Sequence, residues 1–184
     1  FYDVANRRVV EEFDAFNHYS TLASPSKPLD GAELGKLLVD SEGLSIFGSL
    51  EVSNYEDPEA VAEAIINSLE DNVLASDFDL KQTKYCAFIV AGNADVMSKL
   101  PAASMNYANH MIMDKAGTPK ACFKGIYEVP GLPDGQLKVH FMFTGLGFPT
   151  KTVETLKKDA QSKMQQVKEK EEGRRHCKFL TGAQ

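Results

Sequence analysis

Tyr85-Cys86-Ala87-Phe88-Ile89-Val90-Ala91 is an almost uninterrupted apolar run between Lys84 and Gly92. It reads as a strand over 84–91, buried on both faces or lying at the centre of a sheet. Upstream, Leu44 to Val52 reads as a second strand, with Leu44, Ile46 and Phe47 as its apolar positions. Asp57-Pro58-Glu59 then starts a helix, Asp at the cap and Pro at the first helical position, and Ala60 to about Leu69 supplies its body. Downstream, Asn93-Ala94-Asp95 caps a further helix. Pro101 predicts a break or kink within its first turns. Met105, Ala108 and Ile112, with Met111 beside them, form its later apolar stripe, and Gly117-Thr118-Pro119 stops it.

Two more strands follow, Ala121 to Val129 and Gln136 to Thr144, read as a hairpin joined by Pro130-Gly131-Leu132-Pro133-Asp134-Gly135. In the second, Val139, Phe141 and Phe143 alternate with His140, Met142 and Thr144, a period of two. At the start of the chain, Val4, Val9, Val10, Phe13 and Phe16, then less regularly Tyr19 and Leu22, recur every three or four residues. They predict one apolar stripe on a helix from about Tyr2 to Ser20. Ser24-Pro25-Ser26-Lys27-Pro28 breaks it, and a short helix runs from Asp30 to about Asp40. After Gly145-Leu146-Gly147-Phe148-Pro149, a charged helix is expected over 150–172, with Val153, Leu156, Ala160, Met164 and Val167 on one face and a loosely held end. The fold class is therefore α/β: a small mixed four-stranded sheet covered by helices on one side, with the long N-terminal helix along the domain edge and a C-terminal helix.

The chain has 184 residues, 43% hydrophobic and 25% charged, a composition of ordinary globular proteins. No apolar run approaches the roughly 18 residues that span a bilayer, so no membrane role is expected; the cysteine usage described next fits a reducing, cytoplasmic setting. Beginning at Phe1, the chain reads as a fragment or a processed product. Cys86, Cys122 and Cys177 lack metal-ligand spacing, and the first two read as small buried hydrophobes. His18, His110, His140 and His176 are too scattered for a metal cluster, and no metal site is expected. The net charge of −6 conceals an asymmetry: residues 150–178 carry nine Lys/Arg against five Asp/Glu, and the rest carries eleven against twenty-one. A basic tail on an acidic body suggests head-to-tail self-association or an acidic partner.

The candidate for chemistry is Leu29-Asp30-Gly31-Ala32-Glu33-Leu34. Two carboxylates three residues apart at a helix start share one side of the first turn, where free N–H groups and the macrodipole favour negative charge. Such a pair also makes an ordinary capping box, Asp30 at the N-cap and Glu33 closing it. No GxGxxG or GxxxxGK[ST] loop is present, and aromatics do not interleave with Lys/Arg as direct nucleic-acid binding requires. These residues alone do not hold a whole active site.

In this order, the landmarks from Tyr2 to about Phe148 resemble the core helix and C-terminal domain of the tubulin/FtsZ superfamily. Tyr2-Asp3-Val4-Ala5-Asn6 is similar to the start of the family's central helix, and the resemblance implies that Tyr2 stacks on guanine while Asn6 hydrogen-bonds the base. The i, i+4 spacing puts both on one helix face. Asp30 and Glu33 match the Asp-x-x-Asp/Glu of the following loop, with Glu in the second position as in α-tubulin. That match implies that they are catalytic, promoting GTP hydrolysis in the neighbouring subunit. Pro28 stands where the family usually has Asn. Ser41-Glu42-Gly43 with Phe47-Gly48-Ser49 is similar to the entry into the first strand of the C-terminal domain, and Phe143-Thr144-Gly145-Leu146-Gly147 to the end of its last strand.

The Lys-rich helix from Thr150 resembles the extended C-terminal helix of the TubZ group of bacterial and phage tubulins. The implied divisions are a core helix and connecting loop over 1–29, a tubulin/FtsZ-like C-terminal domain over 30–149, and a basic helix and tail over 150–184. The implied function is part of a self-assembling GTPase filament serving DNA segregation or positioning. GTP and Mg²⁺ would be held mainly by an N-terminal domain, the partner would be a second copy of the chain, and the basic helix would meet a DNA-bound adaptor. The alternative is a non-enzymatic polymer-binding or filament-capping module. A small unrelated α/β enzyme lacks a catalytic constellation to support it.

Overall fold

The computed structural model describes residues 2–22, 24, 26–71 and 77–181. The chain forms two compact units, Phe1–Gly147 and Phe148–Gln184. In the first, α1 (Tyr2–Ser20) and α2 (Gly31–Leu38) precede β1 (Leu44–Val52) and α3 (Ala60–Asp71). A 3-10 turn at Leu80–Gln82 leads into β2 (Tyr85–Gly92), then α4 (Ala94–Lys99), α5 (Ala102–Lys115), β3 (Ala121–Glu128) and β4 (Leu137–Leu146). The second unit contains α6 (Thr150–Thr181). Among the described residues no helix is long and apolar enough to cross a membrane.

The four strands lie in the order β1-β4-β2-β3. The apolar run at Tyr85 is an interior strand, parallel to β3 and antiparallel to β4. The expected hairpin is not formed. Both of its strands exist, but β3 pairs with β2 through the α4–α5 crossover, and β4 inserts between β1 and β2. The physical reason is burial. Both sets of alternating side chains on β4 are covered, Val139, Phe141 and Phe143 on one face and His140, Met142 and Thr144 on the other, which an interior position allows and an edge does not. The connection after β3 is held against the end of β2: Val129 N donates to Gly92 O at 2.9 Å, and Asn93 Nδ2 donates to Asp134 Oδ1 at 2.6 Å.

Helices cover both faces of the sheet, which corrects the one-sided cover expected above. Cys86, Phe88 and Val90 of β2 pack with Val61 and Ile65 of α3 and with Met105, Ala108 and Ile112 of α5. Ala87, Ile89 and Ala91 face the other way, toward Phe16 and Tyr19 of α1 and Leu37 of α2. Strict alternation along β2 thus assigns each side chain to one of two cores.

Pro101 splits the expected single helix into α4 and α5, Asn93 capping the first through Val96 N at 3.0 Å. Met111 is exposed, because it falls one residue off the line of Met105, Ala108 and Ile112. The α1 stripe is buried only near its C-terminal end. Phe16 and Tyr19 reach the sheet, while Val4 and Val10 are 73% and 65% exposed and Val9 and Phe13 are also open. Among the described residues, these four side chains are left largely open by this unit. In its own unit α6 continues past the expected end at Glu172 to Thr181. Its Leu156 and Met164 are both 62% exposed.

Gly48 is required by a close approach, since a Cβ there would lie 2.7 Å from the Phe141 ring directly across the β1–β4 ladder. Phe88 is fully buried between β2 and the α3–α5 layer. Phe88→Ala is expected to lower unfolding stability by about 3–5 kcal/mol in urea titrations, through lost burial and the cavity left behind.

Candidate functional site

Both acids lie on the first turn of α2. Asp30 has the extended N-cap backbone (φ −88°, ψ 165°), and its Oδ1 accepts from Glu33 N at 2.7 Å. Glu33 Oε2 accepts from Asp30 N at 3.2 Å, completing the capping box. The other Glu33 oxygen takes Lys27 Nζ at 3.2 Å; the Glu33 side chain is 15% exposed and that of Lys27 51%. Asp30 is exposed, and its Oδ2 has no partner among the described residues. The pair therefore does what a cap does, and still leaves one carboxylate oxygen facing solvent.

The turn is anchored from behind by the outer edge of β3. Ser24 Oγ donates to Ile126 O at 2.5 Å, and Ile126 N donates back to Lys27 O at 3.1 Å. Leu29 N donates to the Tyr127 hydroxyl at 2.8 Å, and the Leu29 side chain is fully buried. The Tyr127 ring is buried, stacked on Tyr19 with centroids 5.9 Å apart. It fits because residue 125 is glycine: a Cβ there would fall 2.7 Å from the Tyr127 ring and 2.9 Å from Ile89 Cγ2. Burial pushes the Tyr127 phenol up; the Leu29 N–H bond opposes this and the Glu33 charge adds to it. Sequence reasoning missed Ser24 and Tyr127 because their partners lie about a hundred residues away, and Gly125 because its crowding by Tyr127 and Ile89 arises only in the folded sheet. The one available signal was Gly-x-Tyr on a single strand face, legible only once that face is known.

Tyr2 and Asn6 belong to the first turns of α1, and their side chains lie outside the described residues. At 1.5 Å per residue, α1 separates them from the Tyr19 end by roughly 20–25 Å. The fold therefore does not bring Tyr2 and Asn6 together with Asp30 and Glu33. Among the described residues no three His, Cys, Asp or Glu side chains are grouped to hold a metal ion, so these residues do not by themselves fit Mg²⁺. Beside the anchored segment, a groove of about 480 Å³ runs between β3 and α4–α5, lined by Met97, Leu100, Met105 and Ile126 with Lys27 and Lys124.

No protein-family profile and no curated protein sequence matches this chain. Solved structures do. A GTPγS-form protofilament of TubZ from Bacillus thuringiensis serovar israelensis is 15% identical, with a TM-score of 0.69 over 94% of this chain and 43% of that one. A type III plasmid segregation TubZ is 15% identical, with a TM-score of 0.67 over 89% of this chain and 41% of that one. An empty FtsZ dimer from M. jannaschii is 17% identical, with a TM-score of 0.55 over 78% of this chain and 38% of that one. The chain spans about two fifths of the length of these structures. At such low identity the likeness establishes the fold alone, one shared with these TubZ and FtsZ structures, with higher TM-scores to TubZ than to FtsZ.

Proposed function

We propose that this chain is the assembly-dependent half of a GTPase: Asp30 and Glu33 complete the hydrolytic site of an adjacent copy in a head-to-tail filament. The observation that carries the reading is the separation of the two residue pairs. Tyr2 and Asn6, assigned by resemblance to the base, sit at one end of α1, and the solvent-facing acids follow its other end. A subunit arranged in this way uses one end for its own nucleotide and the other for its neighbour's. The protofilament form of the TubZ neighbour supports self-association into filaments.

The part played by these residues is acceptor chemistry. A water attacking the γ-phosphoryl group needs an ionised oxygen at hydrogen-bond distance to orient it, and no large pKa shift. Asp30 Oδ2 is open for this, while Lys27 and the Asp30 N–H hold Glu33 in place. GTP and Mg²⁺ are assigned to a nucleotide-binding domain, whose docking would cover Val4, Val9, Val10 and Phe13. Mg²⁺ there supplies charge neutralisation at the phosphates. The plasmid-segregation TubZ neighbour supports DNA segregation or positioning as the process served, and the setting we assign to it is cytoplasmic.

In α6, the surplus of basic residues and the exposed Leu156, Met164 and Val167 suit docking on the acidic first unit of another copy. A DNA-bound adaptor is the competing partner. The complete capping box favours a second reading, in which the turn only starts α2 and the chain is a non-enzymatic polymer-binding or filament-capping module.

In a polymerisation-competent protein containing this chain, Glu33→Ala should slow GTP turnover about a hundredfold while filaments form and persist longer. A normal rate in phosphate-release assays would leave only the capping reading. Truncation after Phe148 should raise the critical concentration measured by sedimentation; an unchanged value would direct α6 to the adaptor.

A further inference from the structure

We infer that Tyr127 is a positioning residue for the acidic turn: its buried hydroxyl, accepting the Leu29 N–H, fixes the direction in which Asp30 and Glu33 are presented to the neighbouring subunit. The inference rests on the proposed catalytic role of those acids and adds a residue that neither the motif nor the resemblance contains.

Three contacts tie the segment to β3, and they are not equivalent. The Ser24 and Lys27 contacts use backbone groups of Ile126 on the open edge of the strand. The Leu29 contact is made to a side chain in a fully enclosed place, one residue before Asp30. A tyrosine oxygen is as well fixed as its ring, and this ring has little freedom. Tyr19 stacks on one side at an interplanar angle of 26°, and the ring lies in the space that a Cβ at Gly125 would fill, 2.7 Å from where that atom would stand.

The consequence passes directly to the acids. Pro28 fixes its own φ, and the bond from Leu29 N to Tyr127 fixes the peptide plane that follows. The capping box then locks Asp30 to Glu33. Between a rigid proline and a rigid cap, the Leu29 peptide is the remaining hinge, and Tyr127 closes it. Placement within a fraction of an ångström is what water orientation demands, and an error of about 1 Å can cost a hundredfold in rate. Phenylalanine would preserve the stack and remove only the acceptor, leaving a buried N–H unpaired.

The test is Tyr127→Phe in the polymerising protein, alone and combined with Glu33→Ala. GTP turnover per polymerised subunit should fall about tenfold, with critical concentration and nucleotide affinity within about twofold of wild type. Hydrogen exchange at the Leu29 amide should accelerate. In the Glu33→Ala background the second change should cost clearly less than it does alone, because one of the two groups that Tyr127 positions is gone. Wild-type turnover in Tyr127→Phe beside a slow Glu33→Ala would overturn this inference alone, as would losses that multiply in the double variant. A Tyr127→Phe protein unable to polymerise would make Tyr127 a folding residue and overturn the assignment. Wild-type turnover in Glu33→Ala would remove the acidic-turn reading, and the role of Tyr127 with it.

Discussion

Two adjacent strands whose side chains are buried in both directions impose the architecture of the first unit. β2 is buried along nearly its whole length and β4 almost as completely. A parallel or mixed sheet with such a centre is stable only when both faces are covered, since each large side chain left in water forfeits about 1.5–3 kcal/mol. The α3–α5 layer covers one face. The other falls to α2 and the last turns of α1, and recruiting them draws Leu29 into the same core as Tyr19, Leu37 and Tyr127. The acidic turn is thus a by-product of core closure. Burying Leu29 leaves the next residue, Asp30, no course but outward.

That coupling explains why the turn is stiff without being buried. Loops run over surfaces because their backbone groups need partners, and this one takes its partners from β3, an edge strand with unpaired groups to offer. The arrangement also blunts the edge, as exposed strand edges invite unwanted pairing. Ile126 gives both of its outward backbone groups to the segment.

Much of the fold was legible in the sequence, and the errors share a cause. Caps, prolines and periodicity are local, so Asn93, Pro101 and the strand at Tyr85 were found within a residue or two. Partner choice between strands is not local. The alternation on β4 looked one-sided because His140 and Thr144 are polar, yet His140 lies against Phe16 and Tyr19, and Thr144 Oγ1 reaches Tyr85 O at 3.2 Å. A polar residue with partners is as buried as an apolar one. The α1 stripe erred in the opposite sense: periodicity reports that a face is apolar and says nothing of what covers it. In the site, the two acids were legible as a pair because their spacing is helical. Tyr127 was not, because no spacing links residue 127 to residue 29 before the sheet exists.

On the proposed reading, the length of α1 has a further consequence. A helix of 19 residues keeps its two ends roughly 27 Å apart, too far for one subunit's acids to reach its own nucleotide. Contacts that join unlike ends of identical copies are heterologous, and unless the rotation happens to close they propagate into open filaments. Hydrolysis then reports on assembly, since a free subunit lacks an acceptor at the phosphate and a polymerised one borrows it. The same geometry requires the borrowed groups to be held by their own domain and not by the neighbour, because each new contact must find them already in place. A capping box backed by a buried tyrosine meets that requirement, whereas a mobile loop would spend part of each interface's energy on being ordered.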